Sequence, residues 1–409
     1  MKITQTKDIR ASNRWEIMGV VLRHWPISRA DICRRTGLNK ATVSTIVKEW
    51  LDAGLLWETE LGRSEGGRKP ILLKPREEAG CTVALDLDIR RVRAILTDLS
   101  GERVLAREQF SIEEPDFPQV YSQLCQGVDR LLKHMPPSRY GLVGVGVAVH
   151  GVVDLSGLIR FIPRLGWRNV DLRSLLEERY GVPVAIDNDG NLAALAQQEL
   201  ISGTGECLQS LAMVNIGDSI SVGLITNGEL FRGFHGFANA IGHHTINFDE
   251  PVQCSCGKYG CWEQYCSDGA LIAYANSVLS QPISSIPELA DLIRRQDPTA
   301  RQVLDRFITY LAVGLTNIIF IFDCQVIVIS SELLSALPYY MPDILGKMVL
   351  PITHAEEVVL SPPGEKRAHS GRCPPGHLPI FSGYGKRRGN KRLNPVLSKE
   401  EPLEGSSFL

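Results

Sequence analysis

The chain has 409 residues, 44% of them hydrophobic, which is too long for one core and apolar enough to fold as two or three domains. Its charges nearly cancel, 44 Lys and Arg against 46 Asp and Glu, which excludes a chain that is basic or acidic throughout. No uninterrupted apolar run approaches the ~18 residues that cross a bilayer, and the opening MKITQTKDIR lacks the apolar segment of a secretory signal, so the expected location is the cytoplasm. In a reducing compartment ten cysteines speak against a disulfide framework. Clustered ones then point to metal, and scattered ones such as Cys33, Cys81, Cys125, Cys207 and Cys324 to core packing.

The charge is unevenly placed. Residues 1–76 carry 15 basic against 8 acidic side chains, a surplus of +7, and residues 362–409 carry 9 against 4, a surplus of +5. The net charge of -2 therefore leaves -14 for the stretch between them. A basic piece in front of an acidic body fits a nucleic-acid reader joined to something else.

In chain order, a first helix is expected from about Lys7 to His24, placing Ile9, Ile17, Val20, Val21 and Leu22 in a small core. Ser28 caps a second helix, Arg29 to Thr36, which Gly37 stops. Asn39 caps a third, Lys40 to Ala53, with Val43, Ile46, Val47, Trp50 and Leu51 on one face. Its other face presents Lys40, Thr42, Ser44, Thr45 and Lys48, short polar side chains beside lysines, as a major-groove recognition helix requires. LLWETELGRSEGGRKPILLKP then reads as two strands around a basic tip, a wing whose Arg68 and Lys69 suit the minor groove. Residues 1–76 are thus expected to be a winged helix-turn-helix that binds double-stranded operator DNA; the competing reading is a small helical dimerisation domain.

From Gly80 the pattern turns to strands: CTVALDLD, RVRAILTDL and RVLAREQF, then a helix from about Pro118 to His134. GLVGVGVAVHG and VPVAIDND follow as strands, and Gly190 to Leu200 as a helix. The scheme restarts with LQSLAMVNIG, SISVGLITNG and ELFRG, where Asn227-Gly228 signals a hairpin. This predicts a duplicated α/β body over residues 80–361 with a cleft between its halves. A long apolar helix, Thr299 to Phe322, carries Val303, Phe307, Leu311 and Leu315 and is read either as a dimer element or as a core helix.

GHHTIN followed by CSCGKYGCWEQY, together with IDNDGNLAALAQ, resembles the signatures of the ROK family of repressors, open reading frames and sugar kinases, in particular its winged-helix regulators. The resemblance covers about residues 10–361. It implies an actin-like, ribonuclease H-like fold in two lobes, of the ATPase type, behind the DNA reader. It also implies that His243, rather than His244, joins Cys254, Cys256 and Cys261 as the four N/S ligands of a closed, structural zinc site. Asp189 matches the family's catalytic base, Asn188 a hydroxyl-binding partner and Glu263 a ligand-contacting glutamate. The competing reading of Asp189 is a cap for the helix that follows it.

Two function classes compete: a sugar-responsive regulator, likened to repressors of carbohydrate genes, and an ATP-dependent sugar kinase with a DNA-binding appendage. Phosphate cradles need glycines for close backbone approach, and acids there repel phosphate. The family's kinases have Asp-x-Gly-Gly-Thr where this chain has Asp86-Leu87-Asp88-Ile89-Arg90, and Gly-Thr-Gly where it has Gly217-Asp218-Ser219-Ile220-Ser221. A third Gly-rich turn is replaced by Ser331-Glu332. These departures predict a non-enzyme. Ala240 replaces a hydroxyl-binding glutamate and Arg164 a common asparagine, leaving open a different sugar, a phosphorylated one held by Arg164, or no effector. A homodimer or higher homo-oligomer is expected. The Pro-, Gly- and Lys/Arg-rich stretch 362–409 lacks periodicity and reads as a disordered tail, either the product of a shifted reading frame or an aid to DNA binding.

Overall fold

The computed structural model describes residues 6–61, 70–101, 103–202, 208–238, 240–249, 252–348 and 358–361. Arg68, Lys69, Cys207 and the 362–409 tail lie outside them.

The first unit runs α1 (Thr6–His24), β1 (Ile27–Ser28), α2 (Arg29–Thr36), α3 (Lys40–Asp52), β2 (Leu56–Leu61) and β3 (Ile71–Pro75). Local chemistry sets its boundaries. The Ser28 hydroxyl accepts from the Asp31 amide at 3.1 Å, and the Asn39 side chain accepts from Thr42 at 2.8 Å. Gly37 ends α2 in the left-handed region. Ile17, Val21, Ile32, Val43, Ile46, Val47 and Trp50 close against Leu56 and Leu73 of the wing. The sheet order β1-β3-β2 completes a winged helix-turn-helix.

The body's first lobe holds β4 (Cys81–Leu87), β5 (Arg91–Asp98), β6 (Val104–Ser111), α4 (Phe117–Leu132) and β7 (Leu142–Val149). After it come β8 (Val152–Val153), β9 (Ile159–Ile162), β10 (Trp167–Val170), α5 (Leu172–Tyr180) and β11 (Val184–Asn188). Helix α6 (Asp189–Ser202) leads from β11 into the second lobe, where Ala194 and Leu195 pack on Leu211, Met213, Ile225 and Val328. That lobe comprises β12 (Leu211–Ile216), β13 (Ile220–Thr226), β14 (Glu229–Leu230), α7 (Glu263–Cys266), α8 (Asp268–Val278), α9 (Ile286–Arg294) and α10 (Pro298–Phe322). It closes with β15 (Val326–Ser331), α11 (Glu332–Ala336), α12 (Met341–Lys347) and β16 (Val358–Leu360).

The two five-stranded sheets run β11-β7-β4-β5-β6 and β14-β13-β12-β15-β16. In each, three antiparallel strands are followed by two that pair in parallel, so the expected duplication is present. The three-stranded sheet β10-β9-β8, inserted between β7 and β11, was not expected. Its strands of two to four residues are too short to show an alternating pattern.

Helix α10 holds no uninterrupted apolar run of the length that crosses a bilayer, since Arg301, Asp305 and Arg306 interrupt it, but it is apolar on average. Over 18 of its 25 residues the mean hydropathy is 1.5, which is enough for a bilayer by length and composition alone. Val303, Phe307, Leu311 and Leu315 are nevertheless buried in the second lobe's core, so of the two readings of this helix the core one holds for those side chains. Its outward residues Phe320 and Ile321 are exposed.

Candidate functional site

The exposed face of α3 presents Lys40, Ser44, Thr45 and Lys48, while Thr42 is half-buried. Lys40 is the first residue of α3 and is exposed, so a lysine stands at the positive end of the helix.

Between the lobes lies a cleft lined by His150, Arg164, Asn188, Ser219, Ser221, Ala240, His243, Ser255 and Glu263 among others. Asn188, His243 and Glu263 are thus brought together in the lining of one cleft. Asp189 does not line it. One Asp189 oxygen accepts from the Asn188 amide at 3.1 Å and the other from the Ser221 hydroxyl at 2.5 Å. The Asn188 side-chain oxygen Oδ1 caps α6, accepting from the Gly190 amide at 2.8 Å.

His150 was missed in the sequence. A single histidine after an apolar strand has no spacing signature, and a core role is its ordinary reading. Here Nε2 lies 3.2 Å from Asp86 and Nδ1 lies 3.7 Å from Asp189. Burial disfavours a charge on the ring, but Asp189 and Asp86 outweigh it and raise His150 to about 10. Asp86 is held at about 2 against its own burial, by His150 and by Arg93 at 2.5 Å. Burial pushes Asp189 upward, with His150 and Ser221 opposing. A fixed imidazolium thus bridges two carboxylates at the floor of the cleft, and Ser221 on β13 ties that bridge to the second lobe.

The positions that would cradle phosphate are filled by acids and their own hydrogen bonds. Buried Asp88 accepts from the Ile89 amide at 2.7 Å, closing the β4–β5 turn upon itself. The Gly217 amide bonds to Ser219, and its carbonyl accepts from Asp268. One Asp268 oxygen is buried without a hydrogen bond, and the carboxyl is raised to about 7 by burial first, then by Glu332 and Asp218. Three mutually repelling carboxylates make a poor seat for a triphosphate.

His243, Cys254, Cys256 and Cys261 form a group that can hold a metal ion, their donor atoms all within 4.8 Å of one another. The Cys256 and Cys261 sulfurs are 3.8 Å apart, close to the edge of a tetrahedron with ~2.3 Å arms. His243 Nδ1 lies 3.4 Å from Cys254 Sγ. His244 is committed elsewhere: Nδ1 to the Ile241 carbonyl and Nε2 to Asn317 at 3.2 Å. Gly260 lets the strand return, since a Cβ there would sit 2.0 Å from the Asn247 carbonyl. Without a cation the thiols oppose one another. Cys254 falls to about 6 despite burial, through the His243 hydrogen bond first, while Cys261 is pushed up by burial and by Cys254. A bound cation would relieve that conflict, so the donor set fits a metal.

The metal loop also sets the cleft wall. Trp262 follows Cys261, is fully buried, and donates to the Tyr310 carbonyl of α10 at 3.1 Å. Its indole occupies the space left by Gly314, where a Cβ would lie 2.0 Å from the ring. Glu263, next in the chain, is buried at the cleft surface.

Residues 82–368 match the model of the ROK family, and residues 10–69 match that of the MarR family. The xylose repressor of Bacillus subtilis (strain 168) is 34% identical over 339 residues, covering 83% of this chain and 86% of that protein. The N-acetylglucosamine repressor of Escherichia coli O157:H7 is 25% identical over 347 residues, covering 82% and 84% respectively. The crystal structure of a ROK family transcriptional regulator, a homolog of the E. coli MLC protein, superposes with a TM-score of 0.76 over 92% of this chain and 98% of that one, at 22% identity. With a winged helix-turn-helix ahead of a body whose phosphate cradle is lined by acids, the chain belongs to the ROK family and is a DNA-binding transcriptional regulator within it.

Proposed function

We propose that this regulator is a repressor whose hold on its operator is weakened by a neutral monosaccharide, an aldopentose such as xylose being the first choice. The observation that carries the reading is the contrast between the cleft and the loops at the phosphate positions. The cleft keeps Asn188, His243 and Glu263 in its lining, while those loops carry a buried Asp88 and, around Asp268, the charges of Glu332 and Asp218. Hydroxyl groups suit paired amide, imidazole and carboxylate partners, whereas a phosphate would meet several carboxylates against the single guanidinium of Arg164. The xylose repressor of B. subtilis supports the choice of sugar.

In this reading Lys40, Thr42, Ser44, Thr45 and Lys48 meet the major groove and Arg68 and Lys69 the minor groove of an operator. Two copies of the chain bind paired half-sites about one DNA turn apart. The outward residues of α10, Phe320 and Ile321, are candidates for contact between copies. The metal is zinc, structural, with three thiolates and one imidazole leaving no open position for water. His243, Cys254, Cys256 and Cys261 would hold it.

Operator binding measured by fluorescence anisotropy against a panel of sugars and sugar phosphates tests this. A neutral aldopentose is expected to weaken binding at least tenfold, with sugar phosphates and ATP inert. Weakening by sugar phosphates alone would favour an Arg164-centred anion site, and turnover of any aldose with ATP would defeat the regulator reading.

A further inference from the structure

We propose that Arg139 and Tyr140 are positioning residues that dock the DNA-reading helix onto the body, and that β4 and β7 carry the state of the cleft to that dock. The second half rests on the sugar-responsive reading above; the first does not.

The dock is built at the end of α3. The Ala53 carbonyl, at the C-cap of that helix, accepts from the Tyr140 hydroxyl at 2.7 Å. The next residue, Gly54, has φ +70, and a Cβ on it would lie 2.9 Å from an Arg139 guanidinium nitrogen. A glycine there serves twice: it takes the left-handed turn, and it lets the cation reach the last turn of α3. That turn is the negative end of the helix dipole, where a guanidinium is favoured. Arg139 also lies over the Tyr140 ring at 5.7 Å, so the two side chains brace each other. The connection is pinned on both sides, since the Tyr140 amide donates to Ala79 at 2.9 Å, Leu99 to Glu77 at 3.0 Å, and Arg76 to Leu55 at 2.8 Å.

From this point two strands run directly to the cleft. Tyr140 and Gly141 lead into β7, and the Gly141 carbonyl accepts from Cys81, the first residue of β4, at 2.8 Å. The strands pair in parallel along their length. At their far ends Asp86 of β4 and His150 just beyond β7 form the ion pair on the cleft floor, which Asp189 and Ser221 extend to the second lobe. An eight-residue strand spans roughly 26 Å, so β7 is a stiff connection between the two ends. A shift of the second lobe that pulls Ser221 from Asp189 acts on His150, and through the paired strands on the hydroxyl that holds Ala53.

The test uses the full chain, with Tyr140→Phe, Arg139→Ala and the conservative Arg139→Lys. Backbone amide exchange at residues 53–55, without sugar, reads the dock. The ratio of operator Kd with and without D-xylose reads transmission, and calorimetric D-xylose affinity serves as control. Tyr140→Phe and Arg139→Ala are each expected to speed exchange about threefold or more and to shrink the Kd ratio at least threefold. Sugar affinity stays unchanged, and Arg139→Lys recovers most of the ratio. Unchanged exchange in both variants overturns the dock. Faster exchange with an intact ratio, or a ratio that falls only because sugar binding falls, overturns transmission. A wild type indifferent to D-xylose and every other sugar overturns transmission along with the sugar reading, while the exchange comparison still decides the dock.

Discussion

The two lobes share a strand order but fix their cleft-facing ends by different means. In the first lobe, Asp86, His150 and Arg93 bind the ends of β4, β5 and β7 by charge. In the second, a loop with little regular structure between β14 and α7 is held by a four-residue donor cluster and by Trp262 against α10. One topology thus supports one wall from within its sheet and the other through a loop gathered around a donor cluster that can hold a metal. The two walls should therefore fail under different conditions.

The largest effect should come from breaking the donor cluster. Cys261→Ser or exhaustive chelation is expected to release about one zinc per chain and to destabilise the second lobe by more than ~3 kcal/mol. Metal analysis with calorimetric unfolding checks this, and amide exchange should show the first sheet still protected. Metal-free protein of unchanged stability would remove the contrast between the lobes.

Next in size, His150→Gln leaves Asp86 and Asp189 without their shared cation and is expected to cost about 3 kcal/mol, read by denaturant unfolding. The pH dependence sharpens the point. His150 is raised from the usual histidine value to about 10 on folding, so its contribution is complete below about pH 6.5 and is lost as pH rises through about 10. Between those limits stability should fall by roughly 1 kcal/mol per pH unit in the wild type and less steeply in His150→Gln. Parallel pH profiles for the two proteins would count against the imidazolium.

The smallest effect concerns the DNA reader. Lys48→Ala should leave folding unchanged, weaken operator binding severalfold, and lower the slope of log affinity against log salt by about 1. An unchanged slope would move Lys48 off the phosphate path.

How much of this was legible followed from how local each signal is. The helices of the reader could be placed to within a residue or two because Ser28, Gly37 and Asn39 act on amides and carbonyls three or four positions away. The duplicated sheets were legible from alternating and continuous apolar runs, and the donor cluster from three cysteines within eight positions. The β8–β10 insertion and the His150 bridge were not, because each depends on partners that only the tertiary fold brings together. At Asp189 the motif match gives the position, and the fold adds what the sequence does not show, that Asn188 and Ser221 each donate to one of its oxygens. The wing tip and the 362–409 tail, read as DNA-contacting and disordered, lie outside the described residues.

Gly314 reaches further than its size suggests. Because the indole of Trp262 lies where a side chain at 314 would stand, the backbone of α10 is the datum from which the metal loop is measured. Any methyl group added there would have to displace the ring, and Glu263, the next residue, lines the cleft. A residue that does not itself line the cleft, in the interior of a core helix, therefore bears on where one of its walls can stand.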